Sequence, residues 1–99
     1  MKTSELIGPA LDWAVAMLEG DLVPTGGVMI QTWPYYSSDW AHGGPIIERE
    51  KLDIECRFHW AARLNGHSWS TGPTPLIAAM RSFVESKLGD EIDIPEELK

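Results

Sequence analysis

The sequence predicts an α+β domain in which an N-terminal and a C-terminal helix flank a small, mainly antiparallel sheet. Two stretches with apolar residues at helical spacing lie near the ends of the chain, and a stretch that alternates polar and apolar residues lies between them. The dipeptide Asn65-Gly66 follows that alternation and is a strong hairpin signal. A chain of 99 residues suits one hydrophobic core, so we expect residues 1–99 to form a single domain.

Both predicted helices are bounded by residues that favour helix ends. The first is predicted over residues 9–19, because proline suits the first helical position and Gly20 suits a left-handed C-terminal residue. We expect Ser4 to cap a short turn before it. The last helix is predicted to follow a cap at Thr74 and to run along a continuous apolar stripe to a glycine at residue 89.

The strand prediction rests on a period of two that begins at residue 51. The same parity continues to residue 64, so one bent strand and two separate strands remain alternatives. A return strand is expected at residues 67–70, and a short edge strand at 90–94. The acidic segment 90–99 is expected to be partly frayed. The face expected to be buried begins with Leu52, Ile54, Cys56 and Phe58.

Residues 20–45 are rich in glycine and proline, which prevents one long regular element from spanning them. We predict a short strand at 28–33 and a turn at 40–42, capped by Ser38 or Asp39. The pair Gly43-Gly44 is expected to interrupt that turn, because adjacent glycines are poor helix formers, and Pro45 is expected to restart it.

Composition restricts the function classes. Eight Lys and Arg against fifteen Asp and Glu leave a net charge of −7, which repels extended nucleic acid. The single Cys56 forbids an intrachain disulfide and fits a reducing cytoplasm. We expect no membrane segment and no secretory signal, since the apolar runs are short.

The irregular middle segment is the candidate ligand site. Its aromatic rings are suited to stacking on a planar ligand, and paired glycines allow backbone N–H groups to approach a phosphate. A hydroxyl and a guanidinium would supply further donors. The alternative is that the rings fill the core and the glycines only turn the chain. The candidate ligand-binding residues are Trp33, Tyr35, Tyr36, Ser38, Asp39, Trp40, Gly43, Gly44 and Arg49.

Other chemistry is disfavoured. Cys56, His59 and His67 lack the paired spacing of a zinc site, and a core-facing cysteine is an unlikely nucleophile. No nucleophile elbow is present, so we expect no enzyme, no cofactor and no metal. Arg81 is expected to be an ordinary surface charge unless it reaches the loop. Trp13 lies off the apolar stripe and marks either a dimer or partner interface, or domain packing.

Three separated segments resemble the NinX-like family of small bacteriophage and prophage proteins. They read GPALDWAVA at residues 8–16, SSDWAHGGPIIERE at 37–50 and GPTPLIAAMR at 72–81, the last followed by KLGDE at 87–91. Ser38 stands where the family's central motif usually has threonine. More weakly, the order of elements is similar to phage α-β-α sandwich domains.

The resemblance implies a phage accessory protein in the host cytoplasm, from a family with no assigned activity. Together with the aromatic segment, it suggests non-enzymatic binding of a compact nucleotide-like ligand, and the expected role is sequestration of a host defence signal. The alternative is an acidic protein-interaction module that inhibits a host factor. A homodimer through the first helix is compatible with either.

Overall fold

The computed structural model describes residues 1–21 and 33–99. Most of the strand predicted at residues 28–33 therefore lies outside the described residues. The fold is α+β, with helices toward both ends of the chain and a three-stranded antiparallel sheet between them. The elements are α1 (Gly8–Glu19), α2 (Trp40–Glu50), β1 (Asp53–Cys56), β2 (Trp60–Arg63), β3 (Ser70–Gly72) and α3 (Pro75–Leu88), with 3₁₀ turns at Thr3–Glu5 and Glu96–Leu98.

Helix α1 confirms the predicted boundaries to within one residue. It ends at Gly20, which adopts the left-handed conformation with φ of 75° and donates its N–H to Ala16. The cap predicted at Ser4 is wrong, because Lys2 occupies the N-cap position of that 3₁₀ turn and makes no side-chain cap hydrogen bond. Thr3 holds the turn instead, by donating its hydroxyl to the Gly89 carbonyl at 2.7 Å.

Helix α2 is continuous, so the predicted break at Gly43-Gly44 and restart at Pro45 are wrong. Asp39 caps the helix by accepting the Ala41 N–H at 2.9 Å, as one of the two predicted caps. Proline inside the helix removes one backbone hydrogen bond. Burial of Ile46, which is only 2% exposed, helps to offset that loss.

The sheet has the order β1-β2-β3, and both pairs are antiparallel. Two strands rather than one occupy residues 53–63, which decides between the two alternatives. The hairpin at Asn65-Gly66 is confirmed, with Gly66 at φ of 87°, although the return strand begins at Ser70 rather than at residue 67.

Two residues on the predicted buried face are exposed. Cys56 is exposed, and Phe58 retains 95% of its accessible surface. The alternating pattern fails here because the chain turns back at residues 57–59, between β1 and β2. Beyond a strand end, sequence parity no longer assigns a side chain to one face of the sheet.

Helix α3 packs on the sheet and also contacts α1 and α2, which places it at the centre of the fold. Its predicted start is confirmed, because the Thr74 hydroxyl accepts the Ile77 N–H at 3.1 Å. Gly89 ends it with φ of 88°. No helix among the described residues is long and apolar enough to span a membrane. The largest fully buried side chains include Leu11 and Val15 from α1 and Met80 and Val84 from α3.

The two ends of the chain pair with each other. Met1 and Ile92 exchange backbone hydrogen bonds of 3.0 Å, and the Thr3 N–H donates to the Asp90 carbonyl at 2.9 Å. The predicted edge strand at 90–94 is thereby reduced to an isolated bridge between Lys2 and Glu91. Fraying of the acidic end stays a prediction.

Candidate functional site

The candidate aromatic residues divide between core and surface. Trp33 and Tyr36 are 3% and 4% exposed and belong to the hydrophobic core, which favours the alternative that these rings fill the core. The Tyr36 hydroxyl donates to the Asp21 carboxylate. Burial, together with that hydrogen bond, raises the pKa of Tyr36 well above its usual range. Tyr35 and Trp40 remain about half exposed, at 52% and 54%.

The two glycines do not present free N–H groups as a loop would. Both lie inside α2, and the Gly43 N–H donates to the Asp39 carbonyl at 2.9 Å. A Cβ on Gly43 would lie 2.3 Å from the Tyr36 carbonyl oxygen and 2.7 Å from Leu76 Cδ2. Gly43 therefore allows close packing of α2, and the phosphate-binding role of the pair stays a prediction.

Arg49 is engaged within the protein. Its Nη1 and Nη2 donate to the Glu19 carboxylate at 2.7 and 2.9 Å, and its Nε donates to Glu50 at 2.9 Å. These hydrogen bonds raise the pKa of Arg49. Two carboxylates therefore pair with Arg49, which joins the C-terminal ends of α1 and α2. Its role in supplying charge to a ligand stays a prediction.

A recess remains beside Trp40, and two of the predicted residues, Ser38 and Trp40, line it. We call it the Trp40 recess. It lies between the first turn of α2 and the first turn of α3 and has a volume of about 260 Å³. Its lining residues are Ser37, Ser38, Trp40, Thr74, Pro75, Leu76 and Ile77.

The electrostatics of the Trp40 recess are weak. The first-turn N–H groups of two helices carry partial positive charge, but Asp39 and Thr74 already cap Ala41 and Ile77. Neither lysine nor arginine is among the described residues that line the recess. The Asp39 carboxylate lies 3.6 Å from His42 Nε2. The recess is thus suited to an aromatic ring with hydroxyl or amide groups, and poorly suited to a multiply charged anion.

Asp12 positions this region, a role that its place in the sequence did not predict. It is 2% exposed on α1 and accepts the Ser37 backbone N–H at 2.8 Å. The hydrogen bond attaches the turn before α2 to α1. An acidic residue inside the apolar stretch of α1 was the signal available in the sequence, since buried carboxylates need partners.

The remaining candidates have structural roles or stay untested. Trp13 is partly buried against the core, which is compatible with the packing alternative. Arg81 is not an ordinary surface charge, because it donates to the carbonyls of Leu6 and Thr71 at 2.7 and 2.9 Å. Across residues 1–21 and 33–99, no group of three His, Cys, Asp or Glu side chains is placed to hold a metal ion.

Comparison with known protein families shows to which family this chain belongs. A family model described as bacteriophage P22 NinX matches residues 2–87. The chain belongs to the NinX family. Its membership identifies it as a small phage accessory protein, and the matched region includes every residue that lines the Trp40 recess of this NinX-family chain. No curated protein matches the chain.

Proposed function

We propose that this NinX-family protein binds a compact, ring-bearing ligand in the Trp40 recess and holds it without converting it. The observation that carries the proposal is the half-exposed indole of Trp40 beside a recess bounded by two helix N-terminal turns. An exposed aromatic ring offers a stacking surface worth about 1–3 kcal/mol per base. The site of action we propose is the cytoplasm of the infected host.

The size of the recess limits the ligand. Its volume of about 260 Å³ lies just below the range of roughly 300–1,000 Å³ that is usual for small-molecule sites. A nucleoside or mononucleotide is therefore favoured over a dinucleotide. Trp33 and Tyr36 do not enlarge the recess, because both are part of the core.

The charge of the ligand is limited as well. With a net charge of −7 on the chain and no basic side chain in the described lining, additional phosphates meet repulsion without compensation. Hydroxyls of Ser38 and Thr74 are available to pair with the polar edge of a base or with a sugar. We therefore expect nucleosides to bind at least as tightly as the corresponding mononucleotides. We propose that the protein sequesters a host defence signal that is a nucleoside or carries few phosphates.

The proposal is tested by calorimetric titration of nucleosides, mononucleotides and cyclic dinucleotides. We expect a nucleoside to bind with a single-site isotherm, and its mononucleotide to bind no more tightly. Trp40→Ala should weaken that binding by about tenfold, because it removes the stacking surface. Its control is Trp69→Ala, which removes an exposed indole that does not line the recess.

The proposal fails if no member of the panel binds, or if the two tryptophan variants weaken binding equally. Recovery of the bound ligand in a chemically altered form would replace non-enzymatic binding with catalysis. Circular dichroism of Trp40→Ala must show an intact fold for its weaker binding to count.

One observation favours the second function, a module that inhibits a host protein. The Phe58 side chain is 95% exposed at the turn between β1 and β2, where a large apolar group gains nothing from the fold of the isolated chain. The acidic surface would then steer a basic partner. Phe58→Ser should abolish specific capture of one host protein and leave the free energy of unfolding unchanged.

A further inference from the structure

The Trp40 recess contains a polar group that stacking on Trp40 does not engage. Ser37, in the turn before α2, is 4% exposed and lines the recess. Its backbone N–H donates to the buried Asp12 carboxylate at 2.8 Å, which holds the residue against α1. Its side-chain hydroxyl forms no hydrogen bond with any residue that the structure describes. The recess therefore has a fixed hydroxyl that lacks a partner.

The Ser37 hydroxyl is accessible from the recess. Among the described residues, the side-chain polar atoms that are both fully enclosed and unpaired are Trp33 Nε1 and Ser82 Oγ. Ser37 Oγ is not one of them, so this unpaired oxygen retains accessible surface. The residue is otherwise buried and it lines the recess, which places that surface at the recess wall. A nearly buried hydroxyl gains a hydrogen bond when a ligand enters, at little cost in ordering.

The two helix ends beside Ser37 contribute donors rather than acceptors. A first helical turn directs its N–H groups away from the helix body and its carbonyls into it. Asp39 and Thr74 each cap one N–H of the turn that follows. The N–H groups of Trp40 and Leu76, which both line the recess, form no hydrogen bond with the described residues. Two backbone donors are therefore unused beside the Ser37 hydroxyl.

Thr74 supplies a further donor. Its hydroxyl oxygen accepts the Ile77 N–H at 3.1 Å, which leaves the hydroxyl proton able to donate. The described lining of the recess contains no carboxylate, side-chain amide or imidazole. A ligand therefore meets N–H and hydroxyl donors in the recess, and the hydroxyl oxygens are its side-chain acceptors.

We propose that the Trp40 recess prefers bases with an exocyclic oxygen to bases with an exocyclic amino group: uracil over cytosine, and hypoxanthine over adenine. This preference rests on the nucleoside binding proposed above. A carbonyl oxygen has two lone pairs, so it accepts from the Ser37 hydroxyl and from a backbone N–H together. An amino group in the same place is itself a donor and leaves the backbone donors unpaired. A site that hydrogen-bonds one group discriminates strongly against an analogue that leaves its polar groups unpaired.

Calorimetric titration of two matched pairs of nucleosides tests the preference. Uridine should bind about tenfold more tightly than cytidine, and inosine about tenfold more tightly than adenosine. The members of each pair are equal in size and uncharged, and they differ at the exocyclic group and in the protonation of the ring nitrogen beside it. The ratio of dissociation constants within a pair therefore reports hydrogen bonding, because stacking on Trp40 is similar for both members.

Ser37→Ala separates the hydroxyl from the stacking ring. It should weaken uridine binding by about tenfold and cytidine binding by less than about twofold, so that their ratio falls toward one. Its free energy of unfolding should be unchanged or higher, because the backbone bond to Asp12 persists and the lost hydroxyl had no partner. The control is Ser68→Ala, which removes an exposed hydroxyl outside the recess and should leave both affinities unchanged. Trp40→Ala should weaken all four nucleosides by a similar factor.

The results that overturn this preference differ from those that overturn nucleoside binding. Equal affinities within each pair, or tighter binding of cytidine and adenosine, would overturn the preference and leave the proposed function standing. The preference would also fail if the uridine-to-cytidine ratio survived in Ser37→Ala, or if that variant lost stability, since its hydroxyl would then serve the fold. If none of the four nucleosides bound, the proposed function would fail and the preference with it.

Discussion

At the scale of single residues, two adjacent glycines have opposite environments. Gly43 packs against the Tyr36 carbonyl and Leu76, where a Cβ would lie closer than 3 Å to both. At Gly44 the nearest atom to such a Cβ is Trp40 Cε3 at 3.7 Å, an ordinary contact. The pair that resembled a phosphate-binding turn is thus one packing glycine beside one unconstrained glycine, both in a helix.

This contrast predicts stability changes of opposite sign. Gly43→Ala should lower the free energy of unfolding by about 1–3 kcal/mol through overpacking. Gly44→Ala should raise it by up to about 1 kcal/mol, since alanine favours a helix over glycine. Urea denaturation of both variants measures the difference. Equal effects of the two substitutions would contradict the close packing of α2 beneath Tyr36.

Buried and half-buried polar residues with backbone partners form a second residue-scale feature. Arg81 links α3 to Leu6 and Thr71, and burial lowers the pKa of its guanidinium. Asp12 links α1 to Ser37. From the sequence, Arg81 was expected to be a solvent-exposed charge. Its acceptor, the Leu6 carbonyl, lies 75 residues away along the chain, and a local sequence pattern cannot identify so distant a partner. Such long-range partners emerge only when the elements pack.

At the scale of elements, an ion-pair network holds the three helices together. Arg49 of α2 bonds to Glu19 of α1, and Glu50 accepts from Arg49 and lies 3.4 Å from Lys87 of α3. The hydrogen bond from Arg49 is the main cause of the lowered pKa of Glu50, and Lys87 adds to it. The network occupies the end of α2 opposite the Trp40 recess.

The lowered pKa of Glu50 predicts a pH dependence of stability. A carboxylate with a lower pKa in the folded state stabilises the fold above its unfolded pKa, and that contribution is lost as the pH falls through the folded pKa. Glu50→Gln should therefore show a smaller loss of stability than the native chain below about pH 4.5. The control is Glu48→Gln, on the same helix but exposed. Parallel pH profiles of Glu50→Gln and the native chain would exclude the network as the cause.

Element boundaries were predictable where local chemistry sets them. Caps at Asp39 and Thr74, the left-handed Gly20 and the turn at Asn65-Gly66 are interactions within a few residues. The continuity of α2 was not predictable from the sequence, because packing of Ile46 outweighs the weak helix propensity of the residues around it.

At the scale of the whole molecule, the chain is closed by pairing of its ends. The backbone hydrogen bonds between Met1 and Ile92 and between Thr3 and Asp90 bring the segment after α3 against the N-terminus. Ile94, which follows them, is 5% exposed and part of the core. The region expected to be an edge strand thus contributes burial as well as hydrogen bonds.

Loss of this buried side chain should destabilise the entire domain. Ile94→Ala should lower the free energy of unfolding by about 2–5 kcal/mol, the usual cost of truncating a buried isoleucine. Ile7→Ala makes the same chemical change at a residue that is 52% exposed and should cost much less. Thermal and urea denaturation compare them. Equal free energies of unfolding for Ile94→Ala and Ile7→Ala would show that the Ile94 side chain does not contribute to the core.

The sequence by itself determined the α+β class, the ends of α1, the cap and ends of α3, the hairpin between β2 and β3 and the relationship to a phage family, since these follow from local hydrogen bonding, periodicity and recognisable motifs. Only the tertiary structure decided which aromatic rings are available. Trp33 and Tyr36 became core and Trp40 stayed at the surface, because burial in an irregular segment depends on which distant helices close over it. The same packing pairs Arg49 with Glu19, and it buries the Ser82 hydroxyl without a hydrogen-bond partner among the described residues.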